Sequence, residues 1–455
     1  MAGGVFDEAV EAIRGGKIPS GIYSDDTYFE KERELLFPRT WQYLAHESEI
    51  PEPGDYVVRR VLDDSFIVVR DETDQVRVLL NMCRHRGMQV CRAEIGNASH
   101  FRCPYHAWTY SNTGELVGVP FHGDAYGGDQ ILDRTTKNLV SPPRMDTYRG
   151  LIFIALDPNA PDLQDYFGGF EFFLDLYLHQ SDEGAEVRGP QRWLVQANWK
   201  IAAENFSGDS YHTPHTHASV VEIGLFREPK AHKRKEGALY FVGRGGGTTY
   251  KLPSDDLDEN LAHIGYPPEM VERMRRVWSP AQKQLAGPSQ FMVSASTLFP
   301  NLSFVHNWPQ VNADGLVVPF VSIRLWQPLG PTQTEVLSWF AVDKSAPQWF
   351  KDASYRAYLM CFGSTGMFEQ DDVENWTSIT SVTRGHLARR TLLDNSMGLD
   401  ASGGLRRDPV GDWPGPGRAF TGFGEYGQRE ILGLWTQYLT GAPDPQAGSA
   451  WGREP

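Results

Sequence analysis

Four residues constrain this chain more than any others: Cys83-x-His85 and, after seventeen intervening residues, Cys103-x2-His106. They lie in NMCRHRGMQVCRAEIGNASHFRCPYHAWTY, where short apolar runs alternate with turn residues. Two compact loops, each offering one thiolate and one imidazole, can bring four ligands together at the tip of a β domain. The donor set suits two chemistries. One zinc ion accepts two thiolates and two imidazoles. A [2Fe-2S] cluster takes both cysteines on one iron and both histidines on the other, which raises its potential. Cys91 lies outside the pattern and reads as a small buried side chain. With Cys361 it brings the total to 4 cysteines in 455 residues, too few for a disulfide framework.

The sequence around these loops is β-rich. PGDYVVRRVLDDSFIVVRDE predicts two strands about an Asp-Asp turn. VRVLLN, a hairpin near HAWTYSNTGELVG and GLIFIAL add further short strands, so residues 39–157 are expected to form an all-β domain. Residues 25–37 predict a helix capped by Asp25 or Asp26, within an N-terminal part (1–38) assigned to the following domain. Residues 158–455 predict that domain as α+β. Its antiparallel strands are expected at QFMVSASTLFP, LSFVHNW, VPFVSIRLWQPL and TEVLSWFAV, and its helices near 197–212, 348–393 and 429–440. Residues 229–285 and 401–424 carry much Gly and Pro and read as excursions from the core. GRGGG at 243–247 reads as a flexible turn, because it lacks the Lys-Ser/Thr of a phosphate loop.

A second signal is ENFSGDSYHTPHTH. On a helix, Asn205, Asp209 and His212 fall at i, i+4 and i+7, on one face. Pro214 disfavours helix at Thr213. Unbroken helical geometry would bring His215 to a metal beside His212, whereas a broken helix allows His217.

Both segments resemble known motifs. C-x-H…C-x2-H resembles the Rieske ferredoxin motif. E-N-x-x-x-D-x-Y-H-x4-H resembles the mononuclear iron motif of the large (α) subunits of aromatic-ring-hydroxylating dioxygenases, the naphthalene and biphenyl class, and especially the polycyclic arene enzymes for phenanthrene and pyrene. The resemblance spans nearly the whole chain, with both motifs in the family's order. It implies a [2Fe-2S] cluster held by Cys83, His85, Cys103 and His106, with Trp108 packed over it. It also implies one mononuclear Fe(II) held by His212 and His217, with Asp209 as the bridge between the centres and Asn205 as a polar neighbour of the iron. An Fe(II) open to O2 takes two His and one carboxylate. FGSTGMFEQDDVENW resembles the family segment whose second acid binds iron, which carries over to Asp372; Asp371 is the alternative.

The implied activity is that of a terminal oxygenase. O2 and electrons from NAD(P)H, relayed by a ferredoxin or reductase, cis-dihydroxylate an aromatic hydrocarbon, and a polycyclic one is expected. The implied electron route, His106 to Asp209 to His212, crosses to a neighbouring subunit of a trimer; a small β subunit gives α3β3, with α3 alone as the alternative. Phe206, Val293, Ala295, Phe362 and Phe368 resemble pocket positions and would favour a flat hydrocarbon. His306, in an apolar strand, reads as core. Three alternatives share parts of these motifs. A dioxygenase of phthalate-like acids would need a cation such as Arg227, Arg244 or Arg324 near the iron. A Rieske monooxygenase or demethylase would use the same two centres. A Rieske electron-transfer protein would not need His212, His217 and Asp372.

Charge and hydropathy exclude other classes. The formal charge of -15 offers phosphates no positive field, so no nucleic-acid partner is expected. No run of 18 or more apolar residues predicts a membrane span. The start carries acidic residues and no apolar segment of the leader type, so the expected location is the cytoplasm.

Overall fold

A computed structural model describes residues 5–225, 237–312, 314–401 and 403–440. The chain forms two compact units: Phe37–Ala160, and the segments Met1–Leu36 and Pro161–Pro455 on either side of it.

The unit Phe37–Ala160 is built on short strands: β1 (Gln42–His46), β2 (Asp55–Val61), β3 (Asp64–Arg70), β4 (Val76–Leu80), β5 (Ile95–Asn97), β6 (His100–Arg102), β7 (Thr109–Ser111), β8 (Leu116–Gly118), β9 (Arg144–Tyr148) and β10 (Leu151–Ala155). They pair in three sheets, in the orders β4-β3-β2-β5, β6-β7-β8 and β9-β10-β1. The β2–β3 turn is Leu62-Asp63 rather than Asp-Asp. Val61 faces Asp64 in the ladder, and Leu62 takes a positive φ of 52°. A slip of one residue would turn Val57 and Phe66 out of the core, so burial outweighs the turn preference of aspartate.

The flanking segments build an α+β unit. Its strands are β11 (Ala185–Val195), β12 (Ala238–Val242), β13 (Gly245–Lys251), β14 (Phe291–Leu298), β15 (Leu302–Asn307), β16 (Phe320–Gly330), β17 (Gln333–Asp343) and β18 (Arg418–Thr421). They form one sheet in the order β11-β17-β16-β15-β14-β13-β12-β18, antiparallel throughout. The helices that matter to the site are α1 (Trp199–Phe206), α2 (Thr213–Thr216), α3 (Gln348–Phe362), α4 (Met367–Thr383) and α5 (Tyr426–Leu439).

Three expectations change. The 229–285 region is not all excursion, because β12 and β13 are members of the sheet; residues 226–236 lie outside the described residues. GRGGG is the tight link of that hairpin, with Gly243-Arg244 at the turn and Gly245, Gly246 and Gly247 inside β13. A Cβ on Gly245 would stand 2.1 Å from the Phe170 ring, and one on Gly247 2.3 Å from the Ala295 carbonyl, so close packing excludes side chains there. Residues 418–421, expected in a Gly/Pro excursion, form the edge strand β18.

Two buried ion pairs fix the helices around the site. Glu32 accepts hydrogen bonds from Lys200 Nζ at 2.6 Å and from the indole nitrogens of Trp199 and Trp435, each at 2.8 Å. One carboxylate thereby ties α1 to α5 and to the N-terminal segment. Arg324 on β16 pairs with Glu369 on α4 and donates to the Phe362 carbonyl at 2.8 Å, and Trp193 Nε1 also donates to Glu369 at 3.2 Å. Removing one partner of such a pair strands the other charge without water. Arg324→Met should therefore cost about 3–5 kcal/mol, read as a lower thermal unfolding midpoint.

Candidate metal centres and the adjoining cavity

The two Cys/His loops of Phe37–Ala160 are near copies of one another. In the first, Gly87 N donates to Cys83 O at 2.9 Å and Cys83 N to Met88 O at 2.8 Å. In the second, Ala107 N donates to Cys103 O at 3.0 Å and Cys103 N to Trp108 O at 2.8 Å. Each loop needs a left-handed residue four places after its cysteine, and Gly87 (φ 77°) and Ala107 (φ 57°) supply it. The second is costlier, since alanine carries a Cβ. The closures turn both cysteines inward, each 2% exposed, and bring the rings of His85 and His106 to 4.6 Å between centroids.

Donor chemistry at the loops suits a cluster. His85 Nδ1 is buried without a hydrogen bond partner, as expected of a nitrogen meant for a metal. Burial, then the neighbouring His106 and Arg86, lowers the His85 pKa, which keeps the ring neutral and able to ligate. Burial also pushes the Cys83 thiol up, a cost that bonding to iron would offset. Trp108 stacks on His85 at 4.9 Å and 8°. Tyr110 was not foreseen from the sequence. Its hydroxyl accepts from Arg84 N at 3.0 Å and so can donate its own hydrogen to Cys83 Sγ, 3.4 Å away. Cys91 is buried, and its thiol donates to Ala93 O.

In the α+β unit, the helix expected through residue 212 stops at Phe206. Gly208 takes φ 150°, and the chain runs irregularly to α2, which has Pro214 in its first turn. His212 and His217 flank α2, so the break brings His217 rather than His215 next to His212. His215 points to solvent, edge-on to the ring of Tyr211. Asp372 comes from α4. His212 Nε2 and His217 Nε2 lie 3.2 Å apart, and Asp372 Oδ1 is 3.5 Å from the first and 3.2 Å from the second. A triangle of that size has its centre roughly 2 Å from each corner, a normal bond length from imidazole or carboxylate to a metal. Among the described residues no other trio of His, Cys, Asp or Glu donor atoms converges this closely.

Carboxylates stand behind both rings. Asp209 Oδ2 is 3.3 Å from His212 Nδ1, and Asp371 Oδ2 is 3.2 Å from His217 Nδ1. Asp371 can hold the Nδ1–H of His217 and leave its Nε2 lone pair toward Asp372, whereas Asp209 meets His212 as an ion-pair contact at Nδ1 and accepts a hydrogen bond from its backbone N at 3.2 Å. The sequence left Asp371 as an alternative ligand; its place is behind His217 instead. Burial alone would raise Asp372, but hydrogen bonds with His212 and His217 outweigh it and lower its pKa. For His212, burial opposes the charge, yet Asp209 and Asp372 outweigh burial and push its pKa up to about 10.

A cavity of about 250 Å³ opens onto this trio. Its lining includes Asn205, Phe206, Asp209, Ala295, Phe362 and Phe368, with Leu239 and Val305 adding apolar surface. Phe362 and Phe368 stack at 5.1 Å, and Phe368 meets His217 edge-on at 4.6 Å. Val293 is the exception among the expected pocket residues. It is fully buried outside the cavity, because a bulge in β14 opposite Gly247–Thr249 puts Ser294 and Ala295 consecutively on the cavity side. His306 faces away, taking a hydrogen bond at Nε2 from Tyr266 Oη at 3.1 Å and directing Nδ1 to the Val293 carbonyl; burial lowers its pKa to about 4. Arg324 is spent on Glu369. Arg244 is buried against the Tyr166 ring and carbonyl. Arg227 lies outside the described residues.

Comparison with known proteins places both units in known domain families. Residues 40–134 match the Rieske [2Fe-2S] domain, and residues 174–397 match the ring hydroxylating alpha subunit (catalytic domain). The chain is 36% identical over 437 residues to the biphenyl 2,3-dioxygenase subunit alpha of Rhodococcus jostii (strain RHA1), covering 94% of this chain and 89% of that one. It is 33% identical over 438 residues to the N,N-dimethyl phenylurea N-demethylase subunit alpha of Sphingobium sp. (strain YBL2), covering 95% and 94%. Among solved structures, naphthalene 1,2-dioxygenase from Rhodococcus sp. bound to indole superposes with a TM-score of 0.86 at 44% identity, covering 95% of this chain and 97% of that one. The chain belongs to the ring-hydroxylating oxygenase α-subunit family. Its cofactors are a Rieske [2Fe-2S] cluster and a mononuclear Fe(II), and the residues at both sites fit them.

Two outcomes follow for the metal sites. Hydrogen bonds to ligand sulfur raise the potential of an iron–sulfur centre, so Tyr110→Phe should lower the midpoint potential of the cluster, measured by redox titration of its absorbance. In the iron-free protein His212 holds a proton up to a pH of about 10, and an incoming Fe(II) must displace it. Apparent Fe(II) affinity should therefore rise by about tenfold per pH unit between pH 6 and 8, measured by metal titration. A flat profile would mean that His212 is neutral before iron binds.

Proposed function

We propose that this chain is the catalytic subunit of a dioxygenase that cis-dihydroxylates flat, neutral aromatic substrates, polycyclic ones among them, with Cys83, His85, Cys103 and His106 holding the cluster and His212, His217 and Asp372 holding the iron. The observation that carries this reading is the aromatic-walled cavity opening directly onto the convergent His212–His217–Asp372 trio. Bound at these residues, Fe(II) supplies O2 activation by electrons that arrive through the cluster.

The chain's own side chains account for the rest. Phe206, Phe362, Phe368 and Val305 surround a ring and exclude water from it, which favours apolar substrate. Asp209 and Asp371 orient the two imidazoles. Asp209 is also the proposed electron bridge between His106 of one subunit and His212 of its neighbour, in an α3β3 or α3 assembly served by a ferredoxin or reductase. The described lining of the cavity contains no Lys or Arg, so nothing there pairs with an aromatic acid. No described helix is long and apolar enough to cross a membrane.

N-demethylation is the second reading, favoured by the similarity to the phenylurea N-demethylase α subunit. Product analysis under ¹⁸O₂ separates the two, using purified oxygenase with NADH, reductase and ferredoxin. Phenanthrene should yield a cis-dihydrodiol carrying two labelled atoms. Formaldehyde from an N,N-dimethyl phenylurea, with no diol from phenanthrene, would select demethylation.

A further inference from the structure

The cavity wall contains a serine–asparagine pair that neither iron binding nor apolar contact uses. The bulge in β14 places Ser294 on the cavity side, where it meets Asn307 from the neighbouring strand β15. Ser294 Oγ donates to Asn307 Oδ1 at 3.3 Å. Asn307 is only 5% exposed, yet it lines the cavity, and no described residue accepts a hydrogen bond from its Nδ2. The amide thus presents N–H donors to the cavity, oriented by the bond at its oxygen.

The two threonines nearest this pair already meet backbone groups. Thr249 Oγ1 bonds to both the nitrogen and the carbonyl of Ala238, at 2.9 and 3.1 Å. Thr248 Oγ1 accepts from Ala295 N at 3.4 Å. The location matters as well. Thr297 anchors one end of the β14–β15 pair to α1 through the Ala203 carbonyl at 2.8 Å. Moving away from that anchor, Ala295 and Val305 come first as register partners. Asn307 follows two residues beyond Val305, roughly 6.8 Å along the same face of an antiparallel strand. A ring held among Phe206, Ala295 and Val305 leaves Asn307 to meet a different part of the same molecule.

We propose that Asn307 is a specificity residue whose Nδ2 donates to a neutral hydrogen-bond acceptor on the substrate, a ring ketone or ring oxygen set apart from the ring that is oxidised. The assignment rests on the cavity being the arene site. A pure hydrocarbon leaves this buried donor facing carbon, whereas a carbonyl satisfies it, and a missing partner for a buried donor is what makes polar discrimination strong. The acceptor is neutral because an amide supplies no charge and the described lining supplies no cation.

Fluorene and 9-fluorenone test this, being tricycles of nearly the same shape that differ by CH2 against C=O. Holoenzyme with its electron donors is assayed for kcat/KM on both, and on naphthalene. Wild type should favour fluorenone by about tenfold or more, the worth of one satisfied donor. In Asn307→Leu, which is similar in volume, the ratio should fall to about one. Fluorene turnover and cluster absorbance report that the variant is folded and loaded. Ser294→Ala keeps the donor but releases its orientation, so its ratio should fall between the two. A fluorenone preference absent from wild type, or unchanged in Asn307→Leu, overturns the assignment while naphthalene oxidation upholds the arene site. Failure of wild type on all three compounds overturns both.

Discussion

The catalytic unit depends on holding two imidazole nitrogens and a carboxylate oxygen within 3.5 Å of each other. Without a metal, a proton on His212 holds the three groups together, paired with Asp209 and Asp372; with that proton gone, three lone pairs converge as a binding site. Ion pairs elsewhere hold the elements that carry them. The Glu32–Lys200 pair pins the helix that leads to the histidines, and the Arg324–Glu369 pair pins the helix carrying Asp372. Glu369 precedes Asp372 by three residues, so the buried charge and the ligand lie on neighbouring turns of one helix face. A shift of either helix would open the triangle.

A second layer of carboxylates completes the arrangement. Asp209 and Asp371 stand behind the two rings; Asp371 takes a hydrogen bond at His217 Nδ1, and Asp209 lies within ion-pair distance of His212 Nδ1. This explains why the adjacent pair Asp371-Asp372 carries two acids with different tasks. Successive helical residues point about 100° apart, so Asp372 reaches the Nε2 atoms of both histidines and Asp371 reaches the back of His217. The same economy appears in the Rieske loops, where Tyr110 closes one loop through Arg84 N and reaches the sulfur of Cys83 with its remaining hydrogen.

Much of the site was legible because its chemistry is local in sequence. Cys83, His85, Cys103 and His106 announce themselves by spacing, and the loops that carry them close on their own backbones. His212 and His217 were legible only through the family resemblance, since helical geometry alone pointed to His215. The break at Gly208 resolves that ambiguity, and it depends on a backbone conformation that the sequence permitted but did not require. Val293 was misplaced for a related reason. Strand alternation puts residues 293 and 295 on one face, and a bulge shifts that face by one residue. The hairpin of β12 and β13 was missed because Gly245, Gly246 and Gly247 carry no strand propensity. Their fitness for the sheet comes from the close approach of Phe170 and the Ala295 carbonyl.

The sequence by itself determined the ligand types, the order of the two metal motifs and the alternation of apolar strands, and with these the class of chemistry. Those properties follow from residue identity and short-range spacing. Tertiary structure alone decided that Asp372 meets both His212 and His217 at their Nε2 atoms while Asp371 meets His217 at Nδ1, that Arg324 is spent within the core, and that Ser294 and Asn307 meet across a bulge. Each of those outcomes depends on groups brought together from distant parts of the chain. A side chain's role there is set by the burial and the partners it finds after folding, which no local pattern encodes.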